Sequence, residues 1–228
     1  MKKYFSVLRS CPLFQNIADE DIPGMLGCLG AKLVCYDKKE SILSEGDPAK
    51  NVGILLSGAA QIVRVDYFGN RSIVADISPS ELFGEAFACA GVESLPVDVI
   101  ATEDTAVLFI DCIRITQACS HACDFHRQMI FNLMKIMALK NLIYHQKIEI
   151  TSRRSTRDKL MTYLLMQSAK NKSNSFDIPY NRQELADYLE VERSGLSAEM
   201  SKLKKEGILD YYKSDFRLLS IPTKDTIE

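Results

Sequence analysis

The stretch from His121 to Ile150, HACDFHRQMIFNLMKIMALKNLIYHQKIEI, contains neither glycine nor proline. A run of this length without either residue predicts one long helix. Ile130, Met134, Met137, Asn141, Tyr144 and Ile148 follow one another at alternating four- and three-residue steps, the spacing that keeps an apolar seam facing a partner helix. Phe125, Met129, Asn132, Ile136, Leu139 and Ile143 form a second seam of the same kind. A helix apolar on two faces must be covered twice. Its own domain can supply one cover and a second copy of the same helix the other, so the first seam is read as a homodimer interface and the second as its alternative. Asn141 and Tyr144 would fix the register, because a buried polar group needs a partner at one depth. The competing reading is a core helix inside one monomer.

The rest of the chain divides around this helix. Nine of the eleven glycines lie at or before Gly91, and no proline occurs between Pro96 and Pro179. Turn-rich sequence therefore gives way to helical sequence near position 110. The expected domains are residues 1–120, a helix over 121–152, and a C-terminal domain over 153–228. From Arg153 onward there are 14 Lys and Arg against 12 Asp and Glu, while the preceding residues are acidic on balance; this permits a nucleic-acid partner for the last domain. No apolar run is long enough for a membrane span and no signal-peptide core follows the start, so a cytoplasmic protein without membrane contact is expected. Seven cysteines without paired spacing fit reduced thiols better than a disulfide framework.

Asp19, Glu20 and Asp21 precede Ile22, Met25, Leu26 and Leu29, which predicts a short helix. From Lys32 to Asp111 short β-like runs alternate with turns, as in an antiparallel sandwich or barrel, with a hairpin loop at Tyr67–Asn70. The segment LFGEAFACAG stands out. Gly84 allows close backbone approach, Glu85 follows it, and Ala86, Phe87 and Cys89 lie in a helical turn whose free N–H groups could meet a ligand. A tight turn with a solvated Glu85 explains the same residues.

The segment IPYNRQELADYLEVERSGLSAEMSKLKKEGILDYYKSDFRLLSI carries a clearer signal. Asn181 can cap a helix burying Leu185, Ala186 and Leu189. Residues 190–192 make a turn, and a second helix from Arg193 buries Leu196, Met200 and Leu203 and ends at Gly207. With a β-hairpin behind it, this is a winged helix-turn-helix. Arg193, Ser194 and Ser197 would lie where base edges of double-stranded DNA are read, Arg193 being suited to a bidentate guanine contact. Arg182, Gln183 and Lys202, with Lys213 or Arg217 in the wing, would hold phosphates.

Taken together, the FGE turn, ATEDTAVLFID, the long helix and RQELADYLEVERSGLS resemble the CRP/FNR family of bacterial transcription regulators over nearly the whole chain. The resemblance implies an α+β architecture: a jelly-roll (double-stranded β-helix) sensor domain, a dimerisation helix and a winged helix-turn-helix. It further implies a homodimer on a palindromic site, contact with RNA polymerase, and a small-molecule effector. The effector pocket is expected around Gly84, Glu85, Ala86, Phe87, Cys89, Leu95, Pro96 and Tyr144. Cyclic-nucleotide-binding members place an Arg-Ser pair where Leu95 and Pro96 stand, and no Lys or Arg occurs between Arg71 and Arg114. A phosphate would thus lack a charge partner, so cyclic AMP is not the expected effector.

Cys11, Cys28 and Cys35 are too scattered for an iron-sulfur cluster, and haem would lack a histidine ligand in the barrel. Cys119, Cys123 and His126 share one helical spacing, so a metal- or redox-responsive regulator is an alternative; free thiols and a surface histidine are the simpler account. A cupin-type enzyme would need histidines in the barrel, and residues 1 to 112 contain none. A DNA-binding dimer without any effector is the remaining alternative.

Overall fold

The computed structural model describes residues 2–116 and 124–220. The chain divides into compact units of residues 1–142 and 143–228, and the boundary falls inside the long helix, α5 (Asp124–Thr151). The helix serves both units: Met129, Leu133 and Ile136 belong to a core of the first and Ile150 to the core of the second.

In the first unit, α1 (Phe5–Ser10) and α2 (Ile22–Cys28) precede eight strands. Strands β1 (Lys32–Tyr36), β8 (Thr105–Asp111), β3 (Asn51–Ser57) and β6 (Leu82–Phe83) form one antiparallel sheet in that order. The other sheet runs β2 (Ser41–Leu43), β7 (Asp98–Ala101), β4 (Ala60–Val65), β5 (Arg71–Ile77). Between the sheets pack Ile42, Leu55, Ile62, Ile77, Phe83, Val99 and Val107. On its other face the first sheet presents Val52, Ile54, Leu56, Leu108 and Ile110 to Leu8, Phe14, Met25 and the buried residues of α5. Cover on both sides explains why β3 and β8 read as continuous apolar runs rather than alternating ones. Short helices α3 (Glu85–Ala90) and α4 (Cys112–Thr116) close the unit.

The expected hairpin loop joins β4 to β5. Asp66 holds it by accepting from the Phe68 and Asn70 amides, at 2.8 and 2.9 Å, while Gly69 takes φ +83°. The expected short helix is α2, with Ile22, Met25 and Leu26 buried on it.

The second unit adds α6 (Thr156–Asn171), α7 (Arg182–Leu189), α8 (Arg193–Lys205) and a sheet ordered β10 (Leu209–Tyr212), β11 (Asp215–Leu218), β9 (Ser175–Asp177). Its core gathers Leu160, Leu164, Leu185, Leu189, Leu196, Met200, Leu203, Leu209 and Phe216. Among the described residues no helix is long and apolar enough to cross a membrane.

Gly53 gives a direct test of the sandwich, because a Cβ there would meet the Phe83 ring at 2.2 Å. Gly53→Ala should lower stability by about 1–3 kcal/mol, the usual effect of overpacking a filled core. Urea denaturation of the variant checks this; a midpoint equal to wild type would mean that the ring moves aside freely.

Candidate functional site

The helix pair of the second unit is built from local rules. Asn181 accepts from the Gln183 and Glu184 amides at 2.9 and 3.0 Å, and Glu184 accepts from the Asn181 amide at 2.8 Å, a reciprocal capping box. Glu190, in the left-handed region at φ +53°, ends α7 and starts the turn. Leu196, Met200 and Leu203 lie along one side of α8 and are buried. At 100° per residue, the opposite side is the row Ser194, Ala198, Ser201, Lys205, and all four are exposed.

Arg193 and Lys202 are also exposed, and Ser197 is half-buried. Ser201 and Lys205, absent from the sequence-level set, share the outward row with Ser194; four-and-three spacing opposite the leucines was the signal. The two acids of α8 and its C-cap, Glu199 and Glu206, are drawn toward α6 by Arg157, at 3.3 and 2.7 Å. The outward row is left without acidic charge.

Arg182 and Gln183 differ from this group. Arg182 was expected on phosphate, yet it is half-buried, donates to Met200 Sδ and lies over the Tyr211 ring at 5.0 Å from the centroid. Burial holds its guanidinium below its ordinary pKa. Gln183 is exposed, and its amide donates to Asp187 at 2.7 Å. In the wing, Lys213 sits in the β10–β11 turn at φ +54°, and Arg217 is exposed.

In the first unit the FGE turn is formed as the sequence suggests, with Gly84 at φ +77° preceding α3. Glu85 is not solvated: it is 3% exposed, and its Oε1 lies 2.8 Å from Lys140 Nζ of α5. Lys140 also donates to the Leu82 carbonyl. Glu85 Oε2 has no partner among the described residues. A positive charge therefore does reach the turn, correcting the expectation drawn from the strand sequence alone. Lys140 follows Leu133 and Ile136 on the buried row of α5, where a lysine is out of character; that misfit was the available signal. Ala86 and Pro96 are exposed, Phe87 and Cys89 half-buried, and Leu95 buried. Tyr144, expected beside this pocket, lies in the second unit.

Along α5, Met134, Asn141 and Ile148 are exposed, while Ile130, Met137 and Tyr144 are half-buried. In the second seam, Met129, Asn132 and Ile136 are buried, with Asn132 donating to the Leu13 and Gln15 carbonyls at 2.9 and 2.8 Å. Cys119 and Cys123 lie outside the described residues. His126 is not the surface histidine expected: it is buried, with Nε2 3.0 Å from the Arg114 carbonyl. Among the described residues no group of three metal-ligating side chains occurs.

A sandwich with an FGE turn, a long helix and a winged helix-turn-helix defines a regulator that joins a sensor-type domain to a DNA-binding domain. Residues 33–121 match the cyclic nucleotide-binding domain family, and residues 158–223 match the Crp-like helix-turn-helix domain. The transcriptional activator protein FnrA of Stutzerimonas stutzeri is 26% identical over 213 residues, covering 91% of this chain and 84% of that protein. Among solved structures, FixK2 from Bradyrhizobium japonicum has a TM-score of 0.62 at 22% identity, covering 85% of this chain and 98% of that one. The c-di-GMP responsive regulator CLP of Xanthomonas campestris reaches 0.71 at 16% identity, covering 87% and 100%. The chain belongs to the CRP/FNR family: it is a transcription regulator with a DNA-binding helix-turn-helix, not an enzyme.

The Glu85–Lys140 pair makes a measurable claim on stability. Lys140→Met leaves a buried carboxylate alone and should cost about 2–3 kcal/mol, less than for a fully buried pair, because the lysine side chain is 24% exposed. Adding Glu85→Gln should recover much of the loss. Denaturation of both variants checks this: equal losses in the single and double variants would mean that Lys140 matters only for its packing.

Proposed function

We propose that the protein acts in the cytoplasm as a homodimer on a palindromic operator, with α8 in the major groove and DNA affinity set by an effector other than cyclic AMP. The observation that carries the DNA-facing part is the exposed row Ser194, Ala198, Ser201, Lys205, flanked by Arg193 and Lys202, opposite a wholly apolar face. Arg193 reads a base, with Ser194 and Ser197 beside it, and Lys202 and Lys205 hold phosphates together with the wing residues Lys213 and Arg217. Gln183 lies where a phosphate can reach it. Arg182 contributes by bracing α7 against α8. Contact with RNA polymerase belongs to the same proposal, and membership of the family supports it.

Exposure along α5 supports the dimer. Phe131, Met134, Leu142 and Ile148 are 57%, 59%, 61% and 59% exposed, an apolar surface that a monomer rarely leaves open. The column Met134, Asn141, Ile148 is central to this face. Its neighbour Phe131, Ala138, His145 is exposed as well, whereas Ile130, Met137 and Tyr144 on the other side are half-buried. The face that pairs is thus the first seam turned by one residue toward Phe131.

Against cyclic AMP stand Leu95, which is buried and exchanges backbone bonds with Asp47 and Gly46 at 2.9 Å, and Pro96, which has no donor to offer. Glu85 is already engaged by Lys140. The effector pocket comprises Gly84 to Phe87, Cys89, Leu95 and Pro96, with access over the exposed Ala86.

Arg193→Ala should weaken operator binding by about 1–3 kcal/mol and relax preference at one base pair per half-site. Lys202→Ala should weaken specific and random DNA alike and reduce the salt slope by about one unit for each phosphate it no longer neutralises. Fluorescence anisotropy with both DNAs separates the two; equal losses for Arg193→Ala would assign base reading to Ser194 and Ser197. Met134→Glu should give a folded monomer in sedimentation, and Met137→Glu should also lower the melting temperature because Met137 packs on the first unit's core. An undissociated Met134→Glu dimer would reject this face. Isothermal titration with millimolar cyclic AMP should show no saturable heat.

A further inference from the structure

Two thiols meet beside the FGE turn without a part in DNA binding. Cys89 of α3 and Cys112 at the start of α4 bring their Sγ atoms to 3.2 Å, across 23 positions of sequence. Cys89 is half-buried and Cys112 is buried. We propose that this pair is a modification site: a hydroperoxide oxidises it to an intramolecular Cys89–Cys112 disulfide.

Geometry favours the bond. A disulfide has its sulfurs about 2.05 Å apart, so closure asks for roughly 1.2 Å of approach from the observed separation. Side-chain rotation, with a small shift of α3, which is six residues long, would supply it.

Burial divides the labour between the two thiols. Desolvation, with the nearby Cys89 acting in the same direction, pushes the Cys112 thiol up to about 12, so it stays protonated. Cys89 is the one that meets an oxidant in solvent. Its sulfur attacks one oxygen of the hydroperoxide, the O–O bond breaks, and the thiol proton goes to the second oxygen, which leaves as water or an alcohol and gives a sulfenic acid on Cys89. Cys112 Sγ then attacks the Cys89 sulfur, and the sulfenic hydroxyl departs with the Cys112 proton as water. Two thiols lose two electrons, and the peroxide bond takes them. A dithiol reductant reverses the step by exchange.

The consequence lies in α3. Glu85 and Cys89 are four residues apart on this helix and so share one side of it. Glu85 is tied to Lys140 on α5 and Cys89 would be tied to Cys112, so the oxidised helix is anchored at both ends.

Peptide mapping of the full-length protein, before and after one equivalent of hydrogen peroxide, tests the proposal. The expected result is a Cys89–Cys112 cross-linked peptide, removed by dithiothreitol, with Cys28 and Cys35 still free although both are exposed. Cys112→Ser should trap the sulfenic acid on Cys89, captured by a cyclic 1,3-dione, and Cys89→Ser should yield no cross-link. Hydrogen exchange in residues 84–90 should slow on oxidation of the wild type. Oxidation at Cys28 or Cys35 while Cys89 and Cys112 remain free would overturn the proposal, as would dione capture on Cys89 in the wild type without any cross-link. The wild-type map alone decides the matter if either serine variant fails to fold.

Discussion

The sheet that contains β3 and β8 must be covered on both faces, and the first unit follows from that constraint. One face has the second sheet. The other needs helices, which α1, α2, α4 and the first half of α5 provide around Ile54, Leu108 and Ile110. An antiparallel sheet with one solvated face would need no such helix. The long helix is therefore a structural part of the sandwich, and the apolar residues on its opposite side are surplus to that task.

Into this arrangement the Glu85–Lys140 pair introduces a charged tie between the FGE turn and α5. With its bond to the Leu82 carbonyl, Lys140 holds the turn against the helix. Any anion that took Lys140 from Glu85 would leave a buried carboxylate unpaired, and any cation or donor that satisfied Oε2 would add to the tie. Either change would act on the turn and on the helix together, because the pair joins them.

Much of the architecture is legible in the amino-acid order. The stretch without glycine or proline carries the passage to helices at Cys112, after β7 and β8, and Asn181, the 190–192 turn and Gly207 mark the helix pair, because caps and turns depend on local chemistry. What escapes such reading is set by tertiary packing. Lys140 lies far in sequence from Glu85, Arg182 turns inward to Met200 and Tyr211, and His126 is drawn to the Arg114 carbonyl. The two-sidedness of α5 is visible in its spacing, yet the outward face is rotated slightly from the seam, since heptad spacing fixes a repeat and the neighbouring fold decides which column is left bare.

Ser194, Ala198 and Ser201 are small and exposed, and the core of the helix pair rests on the other side of α8. Larger polar side chains can therefore be placed at these three positions with little effect on folding, since they share no partners with the buried leucines. If α8 lies in the major groove as proposed, preference for a DNA sequence is free to diverge while the domain's stability is conserved, and a handful of surface exchanges would suffice to retarget a regulator of this build.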